Sequence, residues 1–303
     1  MIKLVKIAGV AVSRIWDRLE VIKKLGHHPK YSVVLFILLG LLLGFLISSI
    51  SIRQPQVGFI TISGIIVDQK TTDDIVKMIN YANDNSRIKG VVIKIDSPGG
   101  VAAAIEEVYL NLVTLKRNKP VVASIGRRAL SGGYYIASAS HFIYSKPTSL
   151  VGGVGALVFL PKPEDLKEDV IGSGPFKESG GPARHWLGAL DMVKQAFIQA
   201  VVSQRGQSLK IDAVELSEAK AYIGIEAIKL GLVDKMGTDK EAEKKAASLA
   251  GVRNYKLVDI NQELKIYPSW WGWFLSETTA EADLMKLSTG LSPIYYYLYI
   301  EQR

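Results

Sequence analysis

The sequence predicts an α/β protein with a mainly parallel sheet, preceded by one transmembrane helix. From residue 56 onward, short apolar runs alternate with amphipathic stretches of helical length, which is typical of βαβ units. Ahead of them, residues 31–52 carry no charged side chain. A helix of that length can cross a hydrocarbon core of about 30 Å. A cleaved signal peptide is the alternative, but its apolar part is usually only about 7–15 residues long.

Composition excludes several classes of protein. The chain has 303 residues, of which 48% are hydrophobic and 22% are charged, so a folded protein is expected rather than a disordered one. Cysteine is absent, which excludes disulfide frameworks, cysteine-ligated zinc and a cysteine nucleophile. The sequence contains no cluster of metal ligands and no phosphate-binding loop. We therefore predict neither a metal nor a cofactor.

The distribution of charge indicates a membrane surface. The formal net charge is +8, which could suggest nucleic acid, but the basic residues concentrate ahead of the apolar segment. We therefore predict membrane lipid as a partner and no nucleic acid. Residues 1–30 form a basic leader, which either lies on anionic lipid as an amphipathic helix or is a solvated basic face. By the positive-inside rule the leader is cytoplasmic, and everything after Arg53 lies outside the cytoplasm.

The elements of the α/β part follow in a regular order. Two loops come directly after predicted strands: DSPGG at residues 96–100, and the stretch 127–133. Ligand sites on parallel sheets lie at the carboxyl ends of the strands, so both loops are candidates. We predict strands at 57–67, broken at Gly64, and at 90–95, 121–125, 142–144 and 150–158, with helices at 72–84, 101–117 and 191–205.

Each loop carries residues suited to catalysis. In ALSGGYYIA, residues 129–137, Ser131 stands at the start of a helix beside glycines that allow a substrate backbone to approach. In DSPGG, the N–H groups of Gly99 and Gly100 could hold a developing oxyanion. Each motif alone has a simpler explanation. Ser131 could only cap the helix, and DSPGG could be an ordinary turn.

Four motifs together resemble a known family. DSPGG, ALSGGYYIA, SLVGGVGAL and YIGIEAIKLGLVDKMG occur in the order and spacing of the signal peptide peptidase A family of membrane-anchored serine proteases. The resemblance covers roughly residues 56–255, the predicted protease domain. It implies a Clp-protease/crotonase-like fold in which ββα units stack into a spiral, and a Ser/Lys dyad. It also implies peptide substrates such as signal peptide remnants, and assembly into a homo-oligomer.

The resemblance implies the roles of individual residues. Ser131 would be the nucleophile, and Lys177, in the segment GPFK at 174–177, would be the general base. Gly100 and Gly132 would donate to the oxyanion, with Gly99 as the alternative to Gly100. Scarcity of histidine agrees with a lysine base, which can act when burial lowers its pKa. His27 and His28 fall on the cytoplasmic side of the predicted membrane, and neither His141 nor His185 has an evident catalytic place.

The chain departs from the family pattern near both catalytic residues. Leu130 replaces the usual alanine before the serine, Arg127 and Arg128 bring positive charge, and Glu178 would raise the pKa of Lys177 if it pointed inward. Two other functions stay open. A crotonase-type acyl-CoA enzyme would use paired N–H groups on a thioester oxygen, and a catalytically inactive membrane scaffold would need neither catalytic residue.

An aromatic tail, residues 256–303, follows the predicted protease domain. It contains two aromatic runs, at residues 267–275 and 294–300. Clustered tryptophan and tyrosine suit a lipid–water interface or a subunit contact. An aromatic strand packed on the same domain is the alternative.

Overall fold

A computed structural model describes residues 29–51, 54–159, 183–266 and 295–298. They belong to two compact units divided after residue 53. The described part of the first unit is helix α1, Pro29–Ser51, in which the large apolar side chains at residues 33–45 are about half to three quarters exposed, as in Phe36 at 75%. By length and hydropathy taken together, none of the helices in these ranges qualifies as a membrane span. The predicted transmembrane helix is therefore not confirmed.

The second unit is built around a mainly parallel sheet, which confirms the α/β part of the predicted fold class. Its strands stand in the order β10-β1-β2-β4-β5-β9, all parallel to their neighbours, and β6 extends it beside the carboxyl end of β4. The strands are β1 Gln56–Ser63, β2 Ile88–Ser97, β3 Gly99–Val101, β4 Val121–Leu130, β5 Phe142–Ser145, β6 Leu150–Gly152, β7 Leu157–Val158, β8 Ala221–Ile223, β9 Lys235–Met236, β10 Lys256–Asp259 and β11 Tyr295–Leu298.

Helices cover both faces of this sheet. Because side chains alternate along a strand, the central strands are buried on both sides. Ile93 of β2 belongs to the large core on one face, and Val92 belongs to a smaller cluster with Ala246 on the other. The helices are α2 Gln69–Asp84, α3 Ala102–Asn118, α4 Gly132–Ser138, α5 Ala183–Arg205, α6 Ala213–Ser217, α7 Gly224–Lys229, α8 Asp239–Leu249 and α9 Ile260–Glu263.

Glycines explain the main differences from the predicted boundaries. The first strand ends at Ser63 because Gly64 turns the chain with φ +81°, and only an isolated bridge between Ile66 and Gly100 follows. The single strand predicted at 150–158 is two short strands, since Gly152 and Gly153 both adopt positive φ. Such backbone is accessible to glycine at little cost.

A buried polar cluster stabilises the position of helix α4. The hydroxyl of Tyr134 donates to the carbonyl of Leu232 at 2.9 Å, and Arg205 donates to both carboxylate oxygens of Asp234 at 2.7 and 3.0 Å. Burial, the largest single influence, lowers the pKa of Arg205, but the hydrogen bonds with Asp234 together with the charge interactions with Tyr134 and Asp234 outweigh it and raise the pKa. A charged, paired Arg205 thus holds the segment against which α4 rests.

A second, three-stranded sheet contains residues from the aromatic tail. Its order is β3-β11-β7, with β11 antiparallel to both neighbours. For residues 295–298, the alternative of an aromatic strand packed on the same domain is therefore confirmed. The first aromatic run, 267–275, lies outside the described residues.

Candidate active site

Parallel pairing of β2 and β4 brings the two candidate loops together. Ser97, which ends β2, stands opposite Ala129 near the end of β4. A Cβ placed on Gly99 would lie 2.8 Å from the backbone nitrogen of Gly132. The glycines of DSPGG and the serine of ALSGG therefore share one edge of the sheet, as the parallel topology requires.

Ser131 has a strained backbone. Its φ of 49° and ψ of −119° are those of the first central position of a type II′ turn, which glycine normally occupies. The turn is held by the Ser131 N–H, which donates to Gly152 O at 2.8 Å, and by Ser131 O, which accepts from Tyr134 N at 2.9 Å. Strain of this kind costs on the order of 1–3 kcal/mol and concentrates at functional sites.

The side chain of Ser131 does not act as a helix cap. Ser131 occupies the N-cap position of α4, but its hydroxyl makes no capping hydrogen bond. Its hydrogen-bond partner among the described residues is Gly155 O, at a long 3.5 Å. The residue is only 2% exposed. Capping therefore does not explain why a serine stands here.

Replacing Ser131 by glycine should stabilise the fold. Glycine adopts the observed φ and ψ without a Cβ clash, although it also raises the entropy of the unfolded chain. We expect the free energy of unfolding of Ser131→Gly, measured by urea denaturation, to be about 1 kcal/mol higher than that of Ser131→Ala. Equal stability of the two variants would show that the backbone of Ser131 is not strained.

The neighbouring glycines allow close packing around Ser131. A Cβ on Gly132 would lie 2.7 Å from Ile105 Cγ1, and one on Gly133 would lie 2.5 Å from the carbonyl oxygen of Ser97. A Cβ on Gly100 would overlap the carbonyl oxygen of Ile66. The backbone around these positions therefore leaves no room for a side chain at Gly100, Gly132 or Gly133. Gly99 is restricted in addition by its φ of +111°.

Backbone geometry distinguishes Gly100 from Gly99 as an oxyanion donor. The Gly99 N–H already donates to Ser97 Oγ at 3.1 Å. Ile66 N donates to Gly99 O and Val101 N donates to Ile66 O, so both groups point toward Ile66. Because the peptide bond is planar and trans, the N–H of Gly100 points the opposite way. The structure thus favours Gly100, the first choice from sequence, over Gly99.

Ser97 supports this loop, and the sequence analysis did not single it out. It is fully buried, and its hydroxyl donates to Gly64 O at 2.6 Å while accepting from Gly99 N. The residue is visible within DSPGG, but sequence gives no sign that its side chain rather than the glycines organises the turn.

Ser97→Ala should destabilise the protein by about 1–3 kcal/mol, because it leaves the Gly99 N–H and Gly64 carbonyl without their partner. We expect chemical denaturation to show this decrease in the free energy of unfolding. Ser217→Ala is a matched control, since its hydroxyl is exposed and bonds only within its own helix. A Ser97→Ala change no larger than the control would contradict this assignment.

The two arginines before the site have different surroundings. Arg127 is 57% exposed and donates from Nε to Asp96 Oδ2 at 2.8 Å, so its charge is paired across the two loops. Arg128 is half-buried, and its Cα stands opposite Leu150. Leu130, the other departure from the family pattern, is buried in the core.

The predicted general base, Lys177, lies outside the described residues, as do Glu178, His27 and His28. His141 has a structural role, since its Nδ1 accepts from Val121 N at 3.1 Å. Burial lowers the pKa of His141, so the neutral acceptor form is favoured. His185 packs edge-on against Trp186 at 5.3 Å. In the described ranges no group of His, Asp or Glu could hold a metal ion, and the predicted lack of a cofactor stays a prediction.

Comparison with known proteins agrees with the geometry. Residues 114–253 match the model of peptidase family S49. A protein of Synechocystis named as a protease is 32% identical over 56% of this chain and 66% of its own length. Protease 4 of Haemophilus influenzae is 26% identical over 65% of this chain and 35% of its length. A protein of Enterococcus faecium named as the signal peptide peptidase SppA is 23% identical over 78% of this chain and 80% of its own.

The family match covers the part of the chain that holds Ser131, at the turn between β4 and α4. The chain spans about two thirds of the Synechocystis relative and about a third of the Haemophilus relative. On the family match, the relatives and the arrangement of the turn, this chain belongs to peptidase family S49.

Proposed function

We propose that the chain is a serine peptidase that hydrolyses apolar peptides with a Ser131/Lys177 dyad. One observation carries the proposal: Ser131 is held in a strained turn, its side chain makes no capping hydrogen bond, and it directly precedes Gly132, whose N–H lies beside the glycines of DSPGG. A structural serine would have no reason to occupy backbone that costs stability. Family membership supports the same activity.

The proposed reaction uses these groups together with Lys177. Neutral Lys177 takes the proton of Ser131 Oγ, and the oxygen attacks the peptide carbonyl carbon. The N–H groups of Gly100 and Gly132 hold the oxyanion, which typically contributes about 3 kcal/mol per donor. The C–N bond breaks as the amine takes the proton from Lys177, and water activated by the lysine then hydrolyses the ester.

Location and substrates extend this proposal. The exposed apolar side chains of α1 and the basic leader support attachment to membrane lipid with the catalytic unit outside the cytoplasm. Peptides released from the membrane, such as signal peptide remnants, are then the substrates within reach. The spiral stacking of ββα units and a homo-oligomer also belong to the proposal, supported by the family match.

Covalent labelling tests the activity. The full chain in detergent is treated with a fluorophosphonate, and the adduct is mapped by mass spectrometry. We expect labelling at Ser131, together with hydrolysis of a quenched apolar peptide. Absence of both would favour the scaffold, and turnover of an acyl-CoA without labelling would favour the crotonase-type enzyme.

Attachment to the bilayer has its own test. We expect the full chain to stay with membranes after a carbonate wash, and a chain beginning at Gln54 to be released. Release of the full chain by the wash would contradict the proposed attachment to the membrane. Protease added to the cytoplasmic side should spare residues after Arg53, and digestion there would reverse the orientation.

A further inference from the structure

The edge of the main sheet opposite the candidate site is rich in basic side chains. Parallel strands all begin at one edge, and the candidate site lies at the other, where the strands end. The stretches 84–89, 117–121 and 252–256 lead into β2, β4 and β10. Together they carry one acidic residue, Asp84, and six basic residues, which are Arg87, Lys89, Arg117, Lys119, Arg253 and Lys256. We call this surface the basic edge.

Most of this charge is exposed and has no ion-pair partner within the described ranges. That holds for Arg87, Lys89, Arg117, Arg253 and Lys256. Lys119 instead donates to Ala82 O at 2.6 Å and to Asn85 O at 2.8 Å, at the end of α2. Burial lowers the pKa of Lys119, and the positive charge of Lys89 lowers it further. Positive charge therefore accumulates at this edge.

The helix dipole explains only part of this pattern. Basic residues are favoured in the last turn of a helix, and Arg117 stands in the last turn of α3. Four others lie in turns or at the beginnings of strands, namely Arg87, Lys89, Arg253 and Lys256. The pairing of β1 with β2 skips Lys89, which makes it the extra, exposed residue of a β-bulge. These four positions need another reason to be basic.

Two exposed leucines accompany the basic side chains. Leu249, the last residue of α8, is 44% exposed, and Leu257, the second residue of β10, is 38% exposed. The last turns of α8 lie near the start of β2, because a Cβ placed on Gly90 would be 2.8 Å from the carbonyl oxygen of Ala246. Leucines beside basic side chains are typical of surfaces that bind anionic lipid and bury apolar groups among the headgroups.

The chain enters the second unit at this same edge. The N–H of Gln56 donates to Arg87 O at 2.8 Å, and the N–H of Lys256 donates to Pro55 O at 2.9 Å. Basic residues therefore flank the entry on both sides. In the sequence, only residues 52–55 separate α1 from β1. Four residues span at most about 14 Å, so a bilayer that held α1 would be within reach of the basic edge.

We propose that the basic edge docks on the phosphate headgroups of an anionic bilayer. The contacts are made by Arg87, Lys89, Arg253 and Lys256, with Leu249 and Leu257 among the headgroups. This inference rests on the attachment to membrane lipid in the proposed function, and it adds a second contact that the folded unit itself makes. It does not depend on Ser131 or Lys177.

Docking sets the height of the candidate site above the bilayer. β4 runs from Val121 at the basic edge to Leu130, the residue before Ser131. An extended chain rises about 3.3 Å per residue, so the 10 residues of β4 hold the serine up to about 30 Å from the headgroups. The site then receives peptides that have left the bilayer rather than segments still within it.

Energy transfer to labelled lipid tests the docking. The chain has no cysteine, so Ser86→Cys provides a single dye site at the basic edge, and Gln69→Cys provides one at the start of α2, near the opposite edge. Full chains are reconstituted in vesicles of phosphatidylcholine, alone or mixed with phosphatidylglycerol in equal parts, that contain an acceptor on the headgroup of a tracer lipid. We expect transfer from position 86 to be higher in the anionic vesicles and to fall to the neutral level at high salt. Transfer from position 69 should change little.

Matched charge variants identify the residues. Lys89→Gln/Lys256→Gln removes two charges from the basic edge, and Lys77→Gln/Lys240→Gln removes two exposed charges from other parts of the unit. A basic side chain near an anionic surface strengthens binding about fivefold, so the first variant should lower the ratio of docked to undocked chains about 25-fold. The second should leave that ratio within about twofold of the wild type. Both should keep fluorophosphonate labelling and peptide hydrolysis unchanged.

The outcomes separate the docking from the other proposals. Equal transfer from position 86 in both kinds of vesicle would overturn it, as would equal effects of the two double variants. An increase at position 69 as large as that at position 86 would also overturn it, because a different surface would then meet the lipid.

Release of the full chain from the vesicles by a carbonate wash would contradict attachment by α1 and leave the basic edge to be judged by binding alone. In that case the full chain is sedimented with the same two kinds of vesicle. We expect binding to the anionic vesicles that Lys89→Gln/Lys256→Gln weakens and Lys77→Gln/Lys240→Gln does not. Binding without a preference for anionic lipid, or binding that both variants weaken equally, would overturn the inference.

Discussion

Ser131→Ala is expected to lower peptide hydrolysis by about 10⁴-fold or more, the largest effect of any single change in the chain. The substitution removes the only atom that forms the covalent bond, while the strained turn and the oxyanion glycines stay in place. The measurement is kcat/KM on a quenched apolar peptide, with purified full-length chains at matched concentrations.

A buried serine nearby provides the control for this variant. Ser140 is 2% exposed, and its hydroxyl makes no hydrogen bond with the described residues. Ser140→Ala should keep activity within about twofold and show similar stability. Comparable activity in Ser131→Ala and Ser140→Ala would mean that another residue is the nucleophile.

Lys177→Ala should lower kcat by about 10³-fold, within the range that a general base contributes. Lys177→Arg should not restore it, because a guanidinium stays protonated and cannot take the serine proton. In the wild type, activity should rise with pH until the lysine amine is neutral, since only the neutral amine acts as base. The pH profile of kcat/KM measures this rise.

Lys167→Ala is the comparison for the lysine variants, since it removes a lysine from the same stretch between β7 and α5. It should leave both rate and pH profile unchanged. If Lys177→Ala retained the wild-type rate and profile, the base would have to be sought elsewhere.

Much of the sheet and the meeting of the two loops could be predicted from sequence. Continuous apolar strands such as 90–95 and 121–125 indicate central parallel strands, and parallel strands place the loops that follow them at one edge. Ser131, Gly100 and Gly132 follow from that rule together with the family motifs. The conformation of Ser131 could not be predicted, because positive φ at a serine contradicts local preference and is imposed by tertiary contacts.

Long-range contacts explain what sequence reasoning missed. In the sequence, Ser97 is simply part of a predicted turn. Its side chain stabilises the loop through two backbone partners, one of which is Gly64, far away in the chain. The aromatic run at 294–300 predicts a membrane interface, a subunit contact or a strand packed on the same domain, because tyrosine suits all apolar–polar boundaries. Its pairing with β3 joins residues nearly two hundred positions apart, and no local pattern encodes such a partner.

Trapping of the acyl-enzyme tests the central claim most directly, namely that Ser131 Oγ is the atom that attacks the substrate carbonyl. The full chain is mixed with a nitrophenyl ester of a short peptide, quenched in acid during turnover, digested and analysed by mass spectrometry. The account predicts that the peptide acyl group is found on Ser131 and is absent from the Ser131→Ala chain. Turnover with the acyl group on another residue, or turnover that persists in Ser131→Ala, would contradict it.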